Sequence, residues 1–414
     1  MPNSGTEFPP PVYLPRGGES WRDPFPMYKA LRDRDPVHRF ENENGEFWAL
    51  SRFQEVFAAA VDASTFSSAR GLTMAYGEME ALGLDSPIVM MDPPDHTEMR
   101  KLAVKQFTPR QVESLEPRVR EFVVERVERL REMGEGDVVA ELFKPLPSLV
   151  VGHYLGVPEE DRNLFDQWTD AIVAANSEGD ISSAGEAIAQ LVGYFTAHME
   201  RVRHNPGDDI ISSLVHARPK GEKVSPAWIL GMAFTMVAGG NDTTTGLLSG
   251  ASELLTRNPD QQRLLVTEPK RISVAIEEFL RLTSPVQGLA RMTTREVTVL
   301  EKTIPEGQKV MLLYGSANRD EREFGPGAES CDITRKVRRH LALSYGPHHC
   351  IGAAVARMQT RVALEELLAR CPKFTVDAAA GEFAGGNYVR RYLSLPFSVE
   401  GSGPGANAPP AVSK

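Results

Sequence analysis

A chain of 414 residues that is 41% hydrophobic and 25% charged is long enough to bury a large core and too apolar to be disordered. Its formal net charge of −10 argues against nucleic acid as a partner, because phosphate binding requires a surplus of Lys and Arg. The three cysteines are too few for a disulfide framework, and the N-terminal residues lack the apolar segment of a secretion signal or membrane anchor, so we expect a cytoplasmic protein.

Helical periodicity dominates the chain between two ends whose composition predicts little structure. We expect a flexible arm at 1–20, a single domain at 21–400 and a disordered tail at 401–414. Helices are predicted, in chain order, at 109–133, 137–156, 158–176, 184–204, 225–257, 259–266, 268–283 and 351–371. Strands are predicted at 47–50, 297–300, 309–313 and 392–399. The sequence therefore predicts a mainly α protein with small β-sheets, and the long irregular stretch 316–345 is of a kind that usually carries function.

The first segment with candidate functional residues is a proline-rich helix start. His96 and Arg100 follow Asp92, Pro93 and Pro94 and lie four residues apart, which places both on one face of a helix. Such a face can grip a carboxylate. A solvated helix start is the alternative interpretation of the same residues.

The second segment lies inside the long predicted helix 225–257. Gly239 and Gly240 each cost about 1 kcal/mol relative to Ala in a helix, and Asp242 before three threonines is also poor helix material. Such a local violation is expected at a functional site. The glycines would let a ligand lie against the backbone, while Thr243 directs its hydroxyl toward bound dioxygen or water and Asp242 passes protons inward. The alternative is a helix end or kink at which Thr243 bonds back to its own turn.

The third segment pairs an acid with a base on a helix that is apolar nearly all round. Glu278 and Arg281 are three residues apart and share one helix face. The same spacing elsewhere in the chain is typical of exposed pairs worth about 0.3 kcal/mol. A pair on a buried helix must instead find further partners, and Arg291 follows ten residues later.

The fourth segment is a Gly/Pro-rich loop at 343–352 that places Cys350 directly before a predicted helix. Free backbone N–H groups and the helix dipole stabilise a thiolate at such a position. The residues alone leave four interpretations open: an inert core cysteine, a zinc ligand that lacks suitably spaced partners, a nucleophile, and a single axial thiolate on haem iron.

Together, these four segments, in this order and spacing, resemble the cytochrome P450 family, specifically its soluble bacterial members. The resemblance extends from about residue 23 to residue 399 and implies that family's fold, with a long central helix over a haem b cofactor. It implies that Cys350 is the axial thiolate ligand of the haem iron. The flanking residues that match the family's loop are Gly346, His348 and Gly352.

The resemblance also assigns roles to the other three segments. The oxygen-activation motif of the central helix is matched by Gly239, Gly240, Asp242 and Thr243, with Thr243 and Asp242 as catalytic residues. The positions that bind the two haem propionates are matched by His96, Arg100, Arg291 and His348. Glu278 and Arg281 match a buried structural pair behind the haem, and 316–345 matches the family's meander.

The chain departs from the family pattern in the cysteine loop and in the meander. Leu343 and Ser344 stand where the loop usually begins Phe-Gly, and Pro347 stiffens it further. Ser330 stands where the family has the arginine that joins the buried pair, with Cys331 in place of the following Phe. The resemblance therefore supplies no third member of that buried network.

The activity that the resemblance implies is a haem-thiolate monooxygenase, which inserts one atom of dioxygen into a mainly hydrophobic small organic substrate. Electrons are expected from a ferredoxin and its reductase, since the chain carries no Gly-x-Gly-x-x-Gly motif after a strand and no fused electron-transfer module. Two alternatives stay open, a peroxide-using or isomerising haem-thiolate enzyme and a haem-based sensor without turnover. The intact Asp242 and Thr243 favour oxygen activation. We expect a monomer.

Two further sets of residues complete these expectations. The substrate pocket is matched by Met74, Val89, Phe234, Val237, Val286, Gln287, Leu289 and Tyr388, which are mostly apolar. A basic run before the cysteine loop consists of Arg335, Lys336, Arg338, Arg339 and His340. On an otherwise acidic protein this run would dock an acidic ferredoxin, and a solvated basic turn is the alternative.

Overall fold

The computed structural model describes residues 12–42, 45–74, 86–162, 164, 165, 167, 168, 170, 171, 184–386 and 388–400. Its helices are α1 (Phe25–Arg34), α2 (Phe53–Val61), α3 (Asp95–Ala103), α4 (Pro109–Met133), α5 (Pro145–Tyr154), α6 (Gly185–His204), α7 (Ile210–His216), α8 (Pro226–Arg257), α9 (Pro259–Thr267), α10 (Ile272–Thr283), α11 (Tyr314–Ala317), α12 (Glu321–Phe324) and α13 (Ala353–Arg370). A π-helical turn at Val139–Phe143 precedes α5, and a 3-10 turn at Gly346–His348 lies in the cysteine loop.

The strands are short and form small sheets. They are β1 (Val37–Asn42), β2 (Gly45–Leu50), β3 (Phe66–Ser67), β4 (Glu135–Asp137), β5 (Leu289–Thr293), β6 (Val297–Val299), β7 (Lys302–Ile304), β8 (Lys309–Leu312), β9 (Phe374–Val376), β10 (Glu382–Phe383), β11 (Tyr392–Ser394) and β12 (Pro396–Val399). One five-stranded sheet has the order β1-β2-β8-β5-β3, and the others are β4-β12-β9, β6-β7 and β10-β11. In the five-stranded sheet β2 and β8 are parallel, with Trp48 opposite Val310, and the other pairs are antiparallel.

The long helix α8 runs through the core. Ser225 caps its start by accepting the N–H of Trp228 at 3.1 Å, and Pro226 occupies the first helical position, where its missing N–H costs nothing. At 32 residues α8 is about 48 Å long. It packs against α5, α6, α7, α10 and α13, so its middle turns lie at the centre of the molecule.

A pair of helices fixes the segment that follows the cysteine loop. The helix predicted at 109–133 is confirmed as α4, which buries Val112, Leu115, Val119, Val123, Val127 and Leu130. α4 packs along α13, and half-buried ion pairs join the two helices, among them Arg120 with Glu365 at 2.7 Å. Since α13 begins three residues after Cys350, this contact anchors one end of the cysteine loop.

The predicted architecture is confirmed, but several boundaries differ. Leu395 interrupts the single strand predicted at 392–399, so the chain forms β11 and then β12, which belong to different sheets. The helix predicted at 137–156 opens with the π-helical turn. The helix predicted at 225–257 is continuous, so the alternative of a helix end or kink at Gly239–Thr243 is not observed. The helix predicted at 158–176 lies partly outside the described residues. Among those described, no helix is both long enough and apolar enough to cross a membrane.

The prediction of a flexible arm is wrong for residues 12–20. Tyr13 is buried and its N–H donates to His38 Nε2 at 3.3 Å. Farther along, the Gly18 N–H donates to Ala384 O at 2.9 Å, and the Trp21 indole donates to Gly386 O at 2.9 Å. The segment before α1 is therefore packed against the segment before β11. The rest of the predicted arm, 1–11, and the predicted tail, 401–414, lie outside the described residues.

Candidate functional site

The cysteine loop is held by backbone contacts that require its glycine. The Cys350 N–H donates to Leu343 O at 2.8 Å, which closes the loop. Gly346 has φ +67°, and a Cβ there would lie 2.9 Å from both Ala60 O and the Cα of Val61. Only glycine fits this position, because it needs both a left-handed backbone and close approach to α2.

The surroundings of Cys350 are apolar and cationic. Burial raises the pKa of its thiol, whereas the Gly352 N–H and the charges of Arg100 and Arg357 oppose that rise. No carboxylate contributes to the pKa shift of this thiol. A thiolate at this position is thus costly when free and becomes stable when a cation binds it, as expected of a metal ligand.

The departure from Phe-Gly at the start of the loop has a backbone consequence. Ser344 adopts φ +56°, the left-handed conformation for which glycine is the usual residue. A non-glycine residue there costs roughly 1–2 kcal/mol. The Ser344 N–H donates to Leu341 O at 2.9 Å, and its Oγ lies 3.4 Å from the hydroxyl of Tyr314. The turn therefore keeps its shape without its glycine, while Leu343 packs against the main core cluster.

Two arginines beside the loop have no acidic partner. Arg291, on β5, is 3% exposed and donates to Ala290 O at 2.7 Å. Arg100, on α3, donates to the carbonyl of His349, and burial lowers its pKa. Among the described residues, neither guanidinium forms an ion pair with a carboxylate. A buried guanidinium at Arg291 and a half-buried one at Arg100, both without anions in the described chain, are poised to bind anionic groups of a ligand.

Two histidines lie beside these arginines. The rings of His96 and His348 lie 4.3 Å apart between centroids. His96 Nδ1 is buried and finds no hydrogen-bond partner among the residues that the structure describes, whereas His348 Nε2 lies 3.1 Å from Ser68 Oγ. Burial and the neighbouring Arg291 lower the pKa of His348 to about 3, and burial also lowers that of His96. Both rings are therefore neutral near pH 7 and act as hydrogen-bond donors rather than as charges.

Gly239 and Gly240 of α8 serve different purposes. A Cβ on Gly239 would meet no heavy atom within 4 Å, and this residue is exposed at the middle of an otherwise buried helix. A Cβ on Gly240 would instead lie 2.6 Å from Val151 on α5. Gly240 therefore allows α8 and α5 to pack closely, and the expectation that a ligand lies against its backbone stays a prediction.

Asp242 and Thr243, which follow these glycines, are consecutive residues of α8. Thr243 is half-buried and its hydroxyl donates to Gly239 O at 2.9 Å, the back-bonding that was the alternative interpretation. Asp242 is buried and lies 2.7 Å from Arg391 Nε in an ion pair. Burial outweighs that cation and raises the pKa of Asp242 to about 6. The carboxyl thus exchanges its proton near neutral pH.

The buried acid–base pair has a third member that sequence reasoning missed. Glu278 and Arg281 are both fully buried, with Arg281 Nη2 2.7 Å from Glu278 Oε1. Arg335 Nε lies 3.3 Å from the same oxygen, so Arg335 replaces the arginine that is absent at Ser330. Arg281 also donates to the carbonyls of Asn318 and Ala328, at 2.7 and 2.6 Å. This network ties α10 to the irregular stretch that leads into the cysteine loop.

The predicted pocket residues divide into two groups. Those that are half-buried, and so keep accessible surface, are Val89, Phe234, Val286, Leu289 and Tyr388. Val237 is fully buried in a core cluster, so its assignment to the pocket is wrong. The assignment of Gln287 to the pocket is also wrong, because its side-chain amide donates to the backbone carbonyls of Thr283 and Ser284. Met74 is buried in a cluster that includes Met311.

Two residues of α8 that sequence reasoning missed are half-buried beside Gly239. Thr235 lies four residues before Gly239, on the same helix face, and Ala238 directly precedes it. Val237 lies on the buried side of α8, whereas Thr235 and Ala238 keep accessible surface. The register of the helix relative to Gly239 was the signal that could have found them.

The predicted basic docking run is only partly available. Arg335 belongs to the buried network, and His340 is buried with Nε2 3.2 Å from Glu277. Arg339 pairs with Glu323 at 2.9 Å. Only Lys336 and Arg338 are exposed, so the expectation of five docking residues is wrong for the other three.

The residues present fit a haem. Its iron takes an axial cysteine thiolate, which Cys350 can supply. Its two propionates match the unpaired Arg100 and Arg291, and the orphaned His96 Nδ1 offers a further hydrogen bond. The open backbone at Gly239 matches the close approach of a flat ring system.

Known proteins of similar sequence and structure were also identified. Residues 179–378 match the family model described as Cytochrome P450. The chain is 57% identical to Cytochrome P450 130 of Mycobacterium tuberculosis, over 92% of this chain and 96% of that protein. It is 35% identical to Vitamin D(3) 25-hydroxylase of Pseudonocardia autotrophica, over 92% and 95%. Among solved structures, the cytochrome P450 PksS of Bacillus subtilis is 30% identical with a TM-score of 0.86, covering 94% of this chain and all of that one.

Proposed function

Because the chain belongs to the cytochrome P450 family, and so is a haem-thiolate monooxygenase, we propose that it binds haem b through Cys350 and oxidises a hydrophobic small molecule. We further propose that a ferredoxin supplies the electrons. The observation that carries the assignment of the site is the convergence of Cys350 with the half-buried Arg100 and the buried Arg291, which pair with no carboxylate in the described chain.

Non-covalent haem b is the form that the cysteines support. A covalently attached c-type haem requires a Cys-x-x-Cys-His motif. The three cysteines stand at Cys331, Cys350 and Cys371, so no two are close enough to form it. The cofactor is then held by the axial ligand, by the arginines at its propionates and by packing against α8.

The chain's own residues supply binding and proton handling. When bound, haem supplies the iron at which dioxygen is activated. Arg100 and Arg291 would hold the propionates of that haem and balance their charge. Thr243 donates its hydroxyl proton to Gly239 O, which leaves the lone pairs of Oγ1 free to accept a hydrogen bond from a proton donor. Asp242 supplies the proton that this donor carries, because its carboxyl exchanges protons near neutral pH.

We expect Thr243→Ala to uncouple the enzyme. Without the hydroxyl, protons are delivered at the wrong place or time, so electrons are consumed while product formation falls by about 10²-fold. The measurement is product formed per electron consumed, with hydrogen peroxide quantified in parallel.

Thr244→Ala is the matched control for this experiment. Thr244 makes the same kind of back-bond, to Gly240 O at 3.3 Å, but is buried. It should keep the coupling of the unchanged enzyme, and Thr243→Ser should restore most of it. Unaltered coupling in Thr243→Ala contradicts the proposed role, and turnover driven by peroxide but never by a ferredoxin supports the peroxide-using alternative.

The accessible residues support a hydrophobic substrate. Val89, Phe234, Val286 and Leu289 keep accessible surface near the site, and Ala238 adds to it. The Pseudonocardia relative is named for hydroxylating vitamin D3, an apolar ring-containing molecule. Apolar ligands that displace water from the iron shift the Soret band, so titration with apolar compounds and with charged compounds of equal size tests the substrate class. Tighter binding of the charged set contradicts it.

An acidic ferredoxin is supported by the exposed cations before the cysteine loop. Lys336 and Arg338 precede Cys350 on a chain that is otherwise acidic. Complementary charges raise association rates, and salt screens them within about 8 Å at physiological ionic strength. We expect Lys336→Glu with Arg338→Glu to slow reduction by ferredoxin about tenfold or more at low salt, and less at high salt.

The control for that double reversal changes the same net charge elsewhere. Lys223→Glu with Lys373→Glu alters two exposed lysines outside the basic run. Stopped-flow reduction of the haem is the measurement, with haem content checked in every variant. Equal reduction rates for the two double variants would remove the docking proposal.

A further inference from the structure

The acid beside Thr243 is held by an arginine from a distant part of the chain. Arg391 directly precedes β11, and its Nε lies 2.7 Å from Asp242 Oδ1. Both residues are 7% exposed. Within the described chain, Asp242 forms its ion pair with this arginine, so the charge of the proposed proton donor depends on a strand that sequence analysis did not connect to it.

A glycine on α8 makes this contact possible. Gly246 lies one helical turn after Asp242, and a Cβ there would come within 2.7 Å of Arg390 O and 3.4 Å of Arg391 Cβ. Any larger residue would push the strand away from the helix. The Arg390 N–H donates to Pro285 O at 2.8 Å, and Arg391 O accepts the Ala384 N–H at 3.1 Å. The backbone that carries Arg391 is thus fixed on both sides.

The pair itself is close but poorly aligned. The buried Arg391 Nε–H is directed at no hydrogen-bond acceptor in the described chain, although the carboxylate oxygen is within ion-pair distance. Arg391 therefore stabilises the charge of Asp242 by proximity more than by a directional hydrogen bond. Such a pair opens at lower cost than an aligned, bidentate one.

A second, more exposed ion pair acts electrostatically on Asp242. Lys144 Nζ is 2.8 Å from Asp170 Oδ1, and both side chains are about half exposed. Arg391, Lys144 and Asp170 are the charged groups that act on Asp242, two lowering its pKa and Asp170 raising it. The buried carboxyl is thus the inner member of a short series of charged groups that ends in solvent.

We propose that Arg391 is the positioning residue for proton delivery, holding Asp242 as a carboxylate until the pair opens and the protonated acid serves Thr243. This inference rests on the role proposed above for Asp242. A solvent proton binds the Asp242 carboxylate, which leaves Arg391 unpaired. The proton then leaves toward Thr243 Oγ1, and the ion pair forms again. One proton moves inward in each cycle and no electron is transferred by these residues.

The direction of the pH effect follows from the charges. Arg391 favours the ionised form of Asp242, so its removal raises the pKa of that carboxyl above its value of about 6. At pH 7 the acid would then stay protonated and would hold its proton instead of releasing it toward Thr243 in step with the reaction. The pH at which coupling is half-maximal should move upward by the same amount.

The experiment compares Arg391→Gln, which removes the charge, with Arg391→Lys, which keeps it. The first readout is the infrared band of the protonated Asp242 carboxyl in the resting protein, identified by its loss in Asp242→Asn. Its titration midpoint should rise by about 1–3 pH units in Arg391→Gln and stay near the original value in Arg391→Lys. The second readout is product per electron against pH, which should shift in parallel.

Arg257→Gln is the matched control, because Arg257 lies on the same helix and pairs with Glu253 at 2.7 Å, away from Asp242. It should leave both midpoints unchanged. Should Arg391→Gln fail to fold, the double variant Asp242→Asn with Arg391→Gln removes both charges and should fold. Failure of that double variant shows a structural role of Arg391 that is independent of Asp242, which overturns the inference.

The failures of the two proposals are distinguishable. An Arg391→Gln enzyme whose carboxyl midpoint and coupling profile match those of the Arg257→Gln control overturns the inference alone, provided that Asp242→Asn impairs coupling. Full coupling in Asp242→Asn overturns the proposed role of Asp242 itself. In that case the infrared readout still reports whether Arg391 controls the charge of the carboxyl.

Discussion

Replacing Cys350 with alanine is expected to abolish turnover and to remove the thiolate signature of the haem. In the unchanged protein, the reduced carbon-monoxide complex should show the red-shifted Soret band typical of a thiolate ligand. Alanine offers no lone pair to the iron, so this band should be lost and haem content should fall. Difference spectra and the ratio of haem to protein are the measurements.

The other cysteines supply the control for this experiment. Cys331 is half-buried in the meander, with its Sγ 3.8 Å from Gln261 Oε1, and burial raises the pKa of its thiol to about 12. Cys331→Ala should keep the thiolate band and the activity. A persistent thiolate band in Cys350→Ala, or its loss in Cys331→Ala, would show that the axial ligand has been assigned to the wrong residue.

Glu278→Gln is expected to have the largest effect on stability. Glu278 accepts hydrogen bonds from Arg281, the Asp332 N–H and Arg335, all at a fully buried position. Glutamine keeps the size of the side chain but leaves two buried guanidinium groups without their anion. Breaking a buried ion pair in this way costs about 3–5 kcal/mol, so the urea midpoint and the haem content should both fall.

An exposed pair with the same spacing shows what burial contributes. Glu268 and Arg271 lie 2.7 Å apart and are about half exposed, so Glu268→Gln should cost less than about 1 kcal/mol. Equal losses of stability in the two variants would mean that the buried network does not fix the meander. Equilibrium unfolding in urea, with haem absorbance followed separately, distinguishes loss of folding from loss of cofactor.

Local pattern was sufficient to predict much of the fold. The apolar stripe of 109–133 has the helical period, and α4 buries those residues because its other face is charged. The caps and prolines around 225–257 gave the ends of α8 within one residue. The four segments were in turn sufficient to indicate the family, since Cys350 and Thr243 each lie in a short motif whose meaning is local.

Contacts between distant parts of the chain were not predictable in this way. Arg335 joins Glu278 because the aperiodic meander folds back on α10, and no period in the sequence reports that path. Arg391 reaches Asp242 across a glycine of α8, a contact that only the assembled strand and helix create. Gln287 was predicted to line the pocket from its position, but its side-chain amide donates instead to the backbone carbonyls of Thr283 and Ser284.

Residues 17–21 pack on residues 384–386, so an early and a late part of the chain are in direct contact. The first described segment and the last segment before β11 form a clasp, joined by Gly18 with Ala384 and by Trp21 with Gly386. Arg391 lies five residues beyond this clasp. A protein fused to the N-terminus is therefore expected to disturb the segment that carries Arg391 unless its linker is long enough to leave the clasp closed.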